Sequence, residues 1–565
     1  MTSKMTRPFP GSRSLCATLV VLSCAICLRG QQTPPIIRNT AGVVNAASYA
    51  PADFPGGAIA QGSIFAVFGA ALGPANPLSA SASPLQKTLG GVSITVTQGA
   101  TTVNAIPLYV SATQVNAIMP SNAPIGAVQV VVKYNNLSSL PSTAQVAKTN
   151  VALFTIPFSG MGPGAIVNFV NGAVSPVNSL TAPATPNQTE YLFGTGLGAS
   201  LNGDDTNPPQ KGSLPVGVTV RVGNKSVAPS YSGRSSCCAG EDEITFTVPP
   251  DTLLGCYVPV QVVTSDGTPS NVATMAISSD GSPCKDAANP YGTAVAGKPG
   301  TVLLERVVAT AGSGAVAVST TLDTMLASFR QETGGPFAYN PMYSLPPAGS
   351  CSAYLAAGDP TDEAQAQFFV LTGKALDAGP LTVNNGTTSA GPTEANGLYV
   401  GLLGQSSPGD QSGAFLTGGP YVVSGAGGLD VGSFHVTLGD PPGNTWTTGD
   451  GSTVVNRANG LTVNWSVTGG DPSKLLAIVM GANADSVDSR TEIFTCTANA
   501  GDGTLTVPPA ILSRIPVTRG TVGLSMGAVV VGMLPLQPQA TFSATGLDYG
   551  FADSIGLSAQ FVTFQ

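Results

Sequence analysis

The chain has 565 residues, room for about three or four domains that each bury a core of their own. Charged residues make up 9% and hydrophobic ones 42%, with 69 glycines and 46 prolines throughout, which argues against long helices and for many short strands joined by tight turns. The net charge of -8 comes from 22 basic and 30 acidic residues with no basic stripe, so nucleic acid is ruled out as a partner and the scattered acids serve solubility.

Residues 1–30 read as a signal peptide: Lys4, Arg7 and Arg13 form a basic start, and residues 15–28 are an apolar run too short to span a bilayer. The residues before Cys24 and Cys27 make poor lipoprotein cleavage boxes, so a soluble exported product without a transmembrane span is expected. Residues 36–280 contain two copies of one pattern. Phe68-Gly69-Ala70-Ala71-Leu72-Gly73 matches Phe193-Gly194-Thr195-Gly196-Leu197-Gly198, and Gly91-Val92-Ser93-Ile94-Thr95-Val96 matches Gly217-Val218-Thr219-Val220-Arg221-Val222. Further on, the run from Val115 to Pro120 matches that from Ile244 to Pro249, and Ile125-Gly126 matches Leu254-Gly255. The order is kept and the offset drifts only from 125 to 129 residues, as a duplication predicts.

Within each copy, apolar runs of four to six residues bounded by Gly, Pro, Asn or Ser predict sandwich strands. In the FGxxLG motif the glycines are expected to supply positive φ at a sharp turn, with Leu72 and Leu197 packing back on the core. A phosphate-binding loop does not fit. Gly194-Thr195-Gly196-Leu197-Gly198 lacks the required spacing, and a turn, Asn202-Gly203-Asp204-Asp205, follows it in place of a helix.

Val43-Val44-Asn45-Ala46-Ala47-Ser48-Tyr49, Gln61-Gly62-Ser63-Ile64-Phe65, Pro107-Leu108-Tyr109-Val110-Ser111 and Gln114-Val115-Asn116 resemble the exported Ig-like proteins of Solibacter type, related to IPT/TIG domains. The second copy carries the same resemblance through Cys237-Cys238-Ala239-Gly240 and Gly255-Cys256-Tyr257-Val258-Pro259-Val260. The resemblance implies export and a β-sandwich fold, and it brings no reaction and no catalytic residue. The expected architecture is all-β: an Ig-like domain over residues 36–156, a second over 157–280, a linker over 281–299, and a larger β-rich region over 300–565 that forms one sandwich or two. In that last region Leu376-Asp377-Ala378-Gly379, Gly428-Leu429-Asp430-Val431-Gly432, Phe494-Thr495-Cys496 and Gly546-Leu547-Asp548-Tyr549-Gly550 resemble the β-region that accompanies such repeats.

Six cysteines remain once the leader is removed, Cys237, Cys238, Cys256, Cys284, Cys351 and Cys496, and an even count in an exported chain predicts disulfides. A zinc site lacks nearby histidine and paired CxxC spacing. Cys237 and Cys238, being adjacent, are expected to bond elsewhere, and Cys351 with Cys496 would tie the two halves of the C-terminal region.

Candidate chemistry is sparse. His435 is the single histidine, on an alternating strand, and reads as a polar face residue. Gly523-Leu524-Ser525-Met526-Gly527 matches a nucleophile elbow by chance: the elbow needs a following helix and a later histidine, whereas His435 precedes Ser525 by 90 residues. Glu241-Asp242-Glu243 and Asp362-Glu363 are conceivable acid pairs but read as solvated loops. The oxygen-rich loops at residues 202–207 and 485–488 lack the calcium-loop spacing. Trp465 alternates with core residues, and Trp446 is the one loop tryptophan that could stack on a sugar. These features predict no enzyme, cofactor or metal, but a secreted, periplasmic or cell-surface Ig-like protein that binds an extracellular protein or glycan or acts as a spacer. The alternatives are an extracellular carbohydrate-active enzyme and a calcium-stiffened adhesin.

Overall fold

The structure, a computed structural model, describes residues 33–565 apart from 40, 157, 208–211, 287–288, 293–294, 312–317, 358–371, 396, 411, 447–453, 486–489 and 520–524. The signal segment read at residues 1–30 lies outside the described residues. Strands account for 52% of the chain and helix for 3%, so the all-β class holds. Among the described residues the one α-helical turn is Pro509–Leu512, and no helix is long and apolar enough to cross a membrane.

The strands follow from alternation. On Val92–Gln98, Val92, Ile94 and Val96 are buried while Ser93, Thr95 and Thr97 are half-exposed. Its partner Gly126–Tyr134 buries Val128, Val130 and Val132 and turns Ala127, Gln129 and Lys133 outward. A period of two is what a strand with one face on a core requires.

The duplicated sequence anchors occupy equivalent strands. Ile64–Ala70 pairs with Gln114–Ile118, and Thr189–Thr195 pairs with Asp242–Thr247 in the same antiparallel sense. Val92–Gln98 with Gly126–Tyr134 corresponds to Val218–Val222 with Gly255–Thr264. Each anchor strand also receives a short incoming strand: Ile37 faces Gly69, and Leu153 faces Gly194. This pairing explains the first glycine of the motif. A Cβ at Gly69 would lie 1.9 Å from the Ile36 carbonyl oxygen, and one at Gly194 would lie 2.4 Å from that of Ala152. The expectation of positive φ is corrected for these two glycines. Close backbone approach demands them, and the left-handed turn comes two residues later, at Ala71 (φ 53°) and Gly196 (φ 108°). Leu72 and Leu197 are buried as the motif reading requires.

The boundary at residues 156/157 shifts. Ala152–Leu153 already pairs within the second sheet system, and Val151 and Leu153 belong to its core. A two-residue strand is too short to announce itself by alternation. The two copies also differ in closure. In the first, the ten-residue strand Thr101–Val110 pairs on both sides and joins all strands into one 11-stranded sheet around the core. In the second, a 7-stranded and a 4-stranded sheet face each other across Leu192, Phe246, Val220 and Val260.

Residues 281–299 do not form the free linker read from their prolines. Asn289, Tyr291 and Val295 are buried; the Tyr291 hydroxyl donates to Asp553 Oδ2 at 2.6 Å, and its ring meets Tyr343 and Phe551. Three tertiary anchors therefore outweigh the turn-forming composition.

Beyond residue 295 one 13-stranded sheet runs through the whole C-terminal region. One of its faces is covered by two small sheets. The first contains Leu381–Asn384, Tyr421–Gly425 and Phe434–Leu438; the second contains Gly443–Trp446, Leu461–Thr468 and Thr504–Val507. The 16-residue strand Tyr549–Phe564 serves both cores: Ala552 packs in the first, Val562 and Phe564 in the second. The region is thus neither one simple sandwich nor two separate ones. It is two cores on a shared sheet. It also docks onto the repeats: Arg514 Nη1 donates to the Pro55 carbonyl at 3.1 Å and Tyr257 Oη to the Ala338 carbonyl at 3.1 Å.

Candidate functional site

The face of the long sheet turned away from the small sheets carries an apolar groove. Alternation sets its chemistry. On Pro299–Ala311, Val302 and Leu304 point into a core, which leaves Leu303 and Glu305 on the other side. On Ser525–Pro535, Val529 and Val531 are buried in a core while Ala528 and Val530 face the groove. Ile478, Met480, Ile555 and Leu557 continue this apolar floor, and Pro341, Met342 and Leu345 rise as a wall. Leu557 lies over Gly532, where a Cβ would come within 2.6 Å of its Cδ2. The groove has a volume of about 350 Å³ and is half-open, since Met480, Val530 and Leu557 keep partial exposure.

Glu305 is the one carboxylate among the described lining residues. Thr324 Oγ1 donates to its Oε2 at 2.9 Å, and burial pushes the carboxyl up from its ordinary value. At one end Tyr291 closes the groove through its bond to Asp553, a fully buried carboxylate that also accepts the Gln539 N–H at 2.7 Å. Burial raises Asp553 as well. The arrangement offers an apolar floor with one carboxylate among the described lining residues and few other polar side chains, those of Tyr291, Tyr354 and Thr495. Sequence reading passed over Glu305 because no motif marks it; a lone acid beside Leu303-Leu304, on the strand face opposite Leu304, was the available signal.

Residues singled out from the sequence lie elsewhere. His435 is exposed on Phe434–Leu438, opposite Ser424. Ser525 begins a long strand and pairs with Asp485; Gly523 and Leu524 lie outside the described residues. Asp362 and Glu363 also lie outside them, as do Ser486, Val487 and Asp488.

The solvated-loop reading of Glu241-Asp242-Glu243 is corrected. Asp242–Thr247 is a strand, Asp242 and Glu243 are buried, and Asp242 pairs with the buried Arg234, which also donates to the Gly198 carbonyl. Burial pushes the Asp242 carboxyl up against the attraction of Arg234. These acids brace a junction between strands. In the 202–207 loop, Asp204 accepts from Thr206 N, Thr206 Oγ1 and Asn207 Nδ2, which holds its carboxyl down at about 2. Asp205 accepts from Ser121 N and Oγ at 2.7 and 2.6 Å. The loop thus spends its oxygens on protein donors.

Trp465 is buried and donates Nε1–H to the Ala500 carbonyl at 2.9 Å. Trp446 is no loop platform: it ends Gly443–Trp446 directly opposite Trp465 and packs on the same core, with its indole nitrogen buried. The cysteines form three pairs at bonding distance. Cys256 joins Cys284 and Cys351 joins Cys496, the latter across 145 residues on directly opposed strand positions. Cys237 joins Cys238, against the expectation that neighbours bond elsewhere; the other four cysteines are already matched. Both sulfurs and a Glu241 oxygen lie within 4.8 Å of one another, but sulfurs bonded to each other leave no thiolate for a metal.

No family model matches the chain, and no curated protein matches it. Among solved structures, a structural-genomics protein of unknown function from Bacteroides thetaiotaomicron is similar at 11% identity and a TM-score of 0.15, over 57% of this chain and 65% of that one. The chain therefore spans less than two thirds of that structure's length. A titin fragment aligns at 6% identity and a TM-score of 0.13 over 67% of this chain and 89% of its own. The adhesin InvE of Yersinia pseudotuberculosis aligns at 14% and 0.12 over 46% and 56%. Superpositions this loose carry no argument about fold or function.

Proposed function

We propose that this chain is an exported protein of the extracellular space or cell surface, with two tandem Ig-like units of IPT/TIG type, and that it works by binding without turnover. Its ligand is a small lipophilic molecule bearing one hydrogen-bond acceptor, held in the groove of the C-terminal sheet. The observation that carries this reading is the pairing of an apolar floor with Glu305 as the one lining carboxylate among the described residues. A volume of about 350 Å³ falls in the range of small-molecule sites, which are mostly apolar with a few placed polar groups. Burial shifts Glu305 toward its protonated form, the form that donates to a ligand's acceptor. A glycan fits poorly, because most of its hydroxyls would lie against the aliphatic floor, with few polar side chains to bond. Hydrolysis by paired acids would require a second carboxylate across the groove.

The test is titration of the leaderless full chain with 1-aminoanthracene, a neutral lipophilic fluorophore, beside Val530→Arg and Glu305→Gln. Saturable enhancement at one site per chain, abolished by Val530→Arg and retained by Glu305→Gln, is expected. Enhancement that ignores Val530→Arg would remove the groove as the site. Cleavage of any polysaccharide in a hydrolysis panel would overturn the view that the protein only binds.

A further inference from the structure

A second, more polar cleft lies at the seam where the 4-stranded sheet of the second repeat docks onto the C-terminal region. Its floor is a cross-strand pair: Arg221 on Val218–Val222 stands opposite Gln261 on Gly255–Thr264. Ser350 and Thr506, from the C-terminal region, face them across a space of about 140 Å³.

Arg221 is half-buried and, among the described residues, has no hydrogen-bond or ion-pair partner. Burial lowers its pKa. A guanidinium does not shed its proton in a protein, so the charge stays and calls for an anion or water. No acidic side chain lines the cleft among the described residues. Gln261 is almost wholly buried, and its amide is only half used. Nε2 donates to the Ser270 and Ala510 carbonyls at 3.1 and 3.2 Å, while Oε1 is buried with no donor. These two carbonyls also fix which end of the amide is the acceptor. The cleft therefore holds a planar fork of donors, with an unspent acceptor buried in the Gln261 side chain of its floor.

We propose that this cleft binds a small carboxylate carrying an adjacent hydroxyl or amino group, with the carboxylate on Arg221 and the neighbouring O–H or N–H donated to Gln261 Oε1. A bidentate guanidinium–carboxylate pair is the strongest contact available there, and the second bond discriminates, since a ligand without the donor leaves a buried acceptor unsatisfied. The size suits the class: about 140 Å³ is close to the volume of cavities that take a benzene-sized molecule.

Calorimetric titration of the full chain with glycolate and glycine, each compared with acetate, tests the assignment. Glycolate or glycine should bind about tenfold or more tightly than acetate, and Arg221→Met should weaken that binding by about tenfold or more. Gln261→Met should erase the preference over acetate while leaving residual carboxylate binding. Should the variants fail to fold, protection of Arg221 from phenylglyoxal in the unaltered protein, read by peptide mass spectrometry, decides the question. Affinity for both glycolate and glycine no higher than for acetate would overturn the proposal, as would binding that persists in Arg221→Met or unprotected Arg221 under saturating ligand.

Discussion

Glu190→Gln should stabilise the protein at neutral pH by an amount that grows as the pH rises. Glu190 is fully buried on Thr189–Thr195, on the same strand face as the core residue Leu192. Its Oε1 accepts Gln188 Nε2 at 2.8 Å, and its Oε2 has no partner. Burial lifts this carboxyl from an ordinary 4.5 to about 9. An unfolded chain releases the proton near 4.5, whereas the folded chain holds it until about 9. Between those values the unfolded state binds fewer protons, so stability is full below 4.5 and is lost steadily as pH climbs toward 9. At about 1.4 kcal/mol per pH unit, the loss at pH 7 reaches ~3 kcal/mol as an upper bound, because relaxation around the group reduces it. Glutamine keeps the shape and the acceptor for Gln188 but has no proton to lose on unfolding. Urea midpoints of both proteins, followed by far-ultraviolet circular dichroism at about pH 5, 6.5 and 8, measure the gap. A gap in favour of the variant that widens with pH is expected. A constant gap, or a less stable variant at pH 8, would refute the reasoning.

Arg514→Met removes a guanidinium that is 2% exposed and strands the equally buried Glu492, a loss of about 3–5 kcal/mol. Because Arg514 also holds the Pro55 carbonyl, limited proteolysis should show the first repeat loosened from the C-terminal region, and Arg514→Met with Glu492→Leu should recover most of the urea midpoint. Replacing Cys351 and Cys496 with alanine opens a closure of 145 residues and should lower stability by about 4–5 kcal/mol in urea unfolding, with a shift near zero pointing to persistent structure in the unfolded chain.

Much of the strand content could be read directly from local pattern. Val92, Ile94 and Val96 alternate with polar residues, and a strand with one buried face has no other way to satisfy its side chains. The matched anchors at Phe68 and Phe193 mark strands with equivalent partners, since a duplicated pattern of apolar spacing and close-approach glycines supports the same pairing twice. The burial of Trp465 and the exposure of His435 were equally local, each following from its position on an alternating strand.

Other features depended on which strands meet, near or far along the chain. Glu241-Asp242-Glu243 has the composition of a loop, yet Asp242 is buried because Arg234, eight residues earlier, lies beside it on the paired strand. Residues 281–299 have a linker's prolines, yet Tyr291 is held by Asp553, 262 residues away. The groove around Glu305 exists only where strands of the long sheet meet the segment that holds Pro341 and Leu345, and the cleft at Arg221 only where the second repeat meets the C-terminal region; neither acid nor guanidinium differs locally from a solvated one. A strand's own residues settle which way each side chain points, because the pleat has a period of two; what stands opposite that side chain is set by contacts across hundreds of residues, which no short stretch of chain encodes.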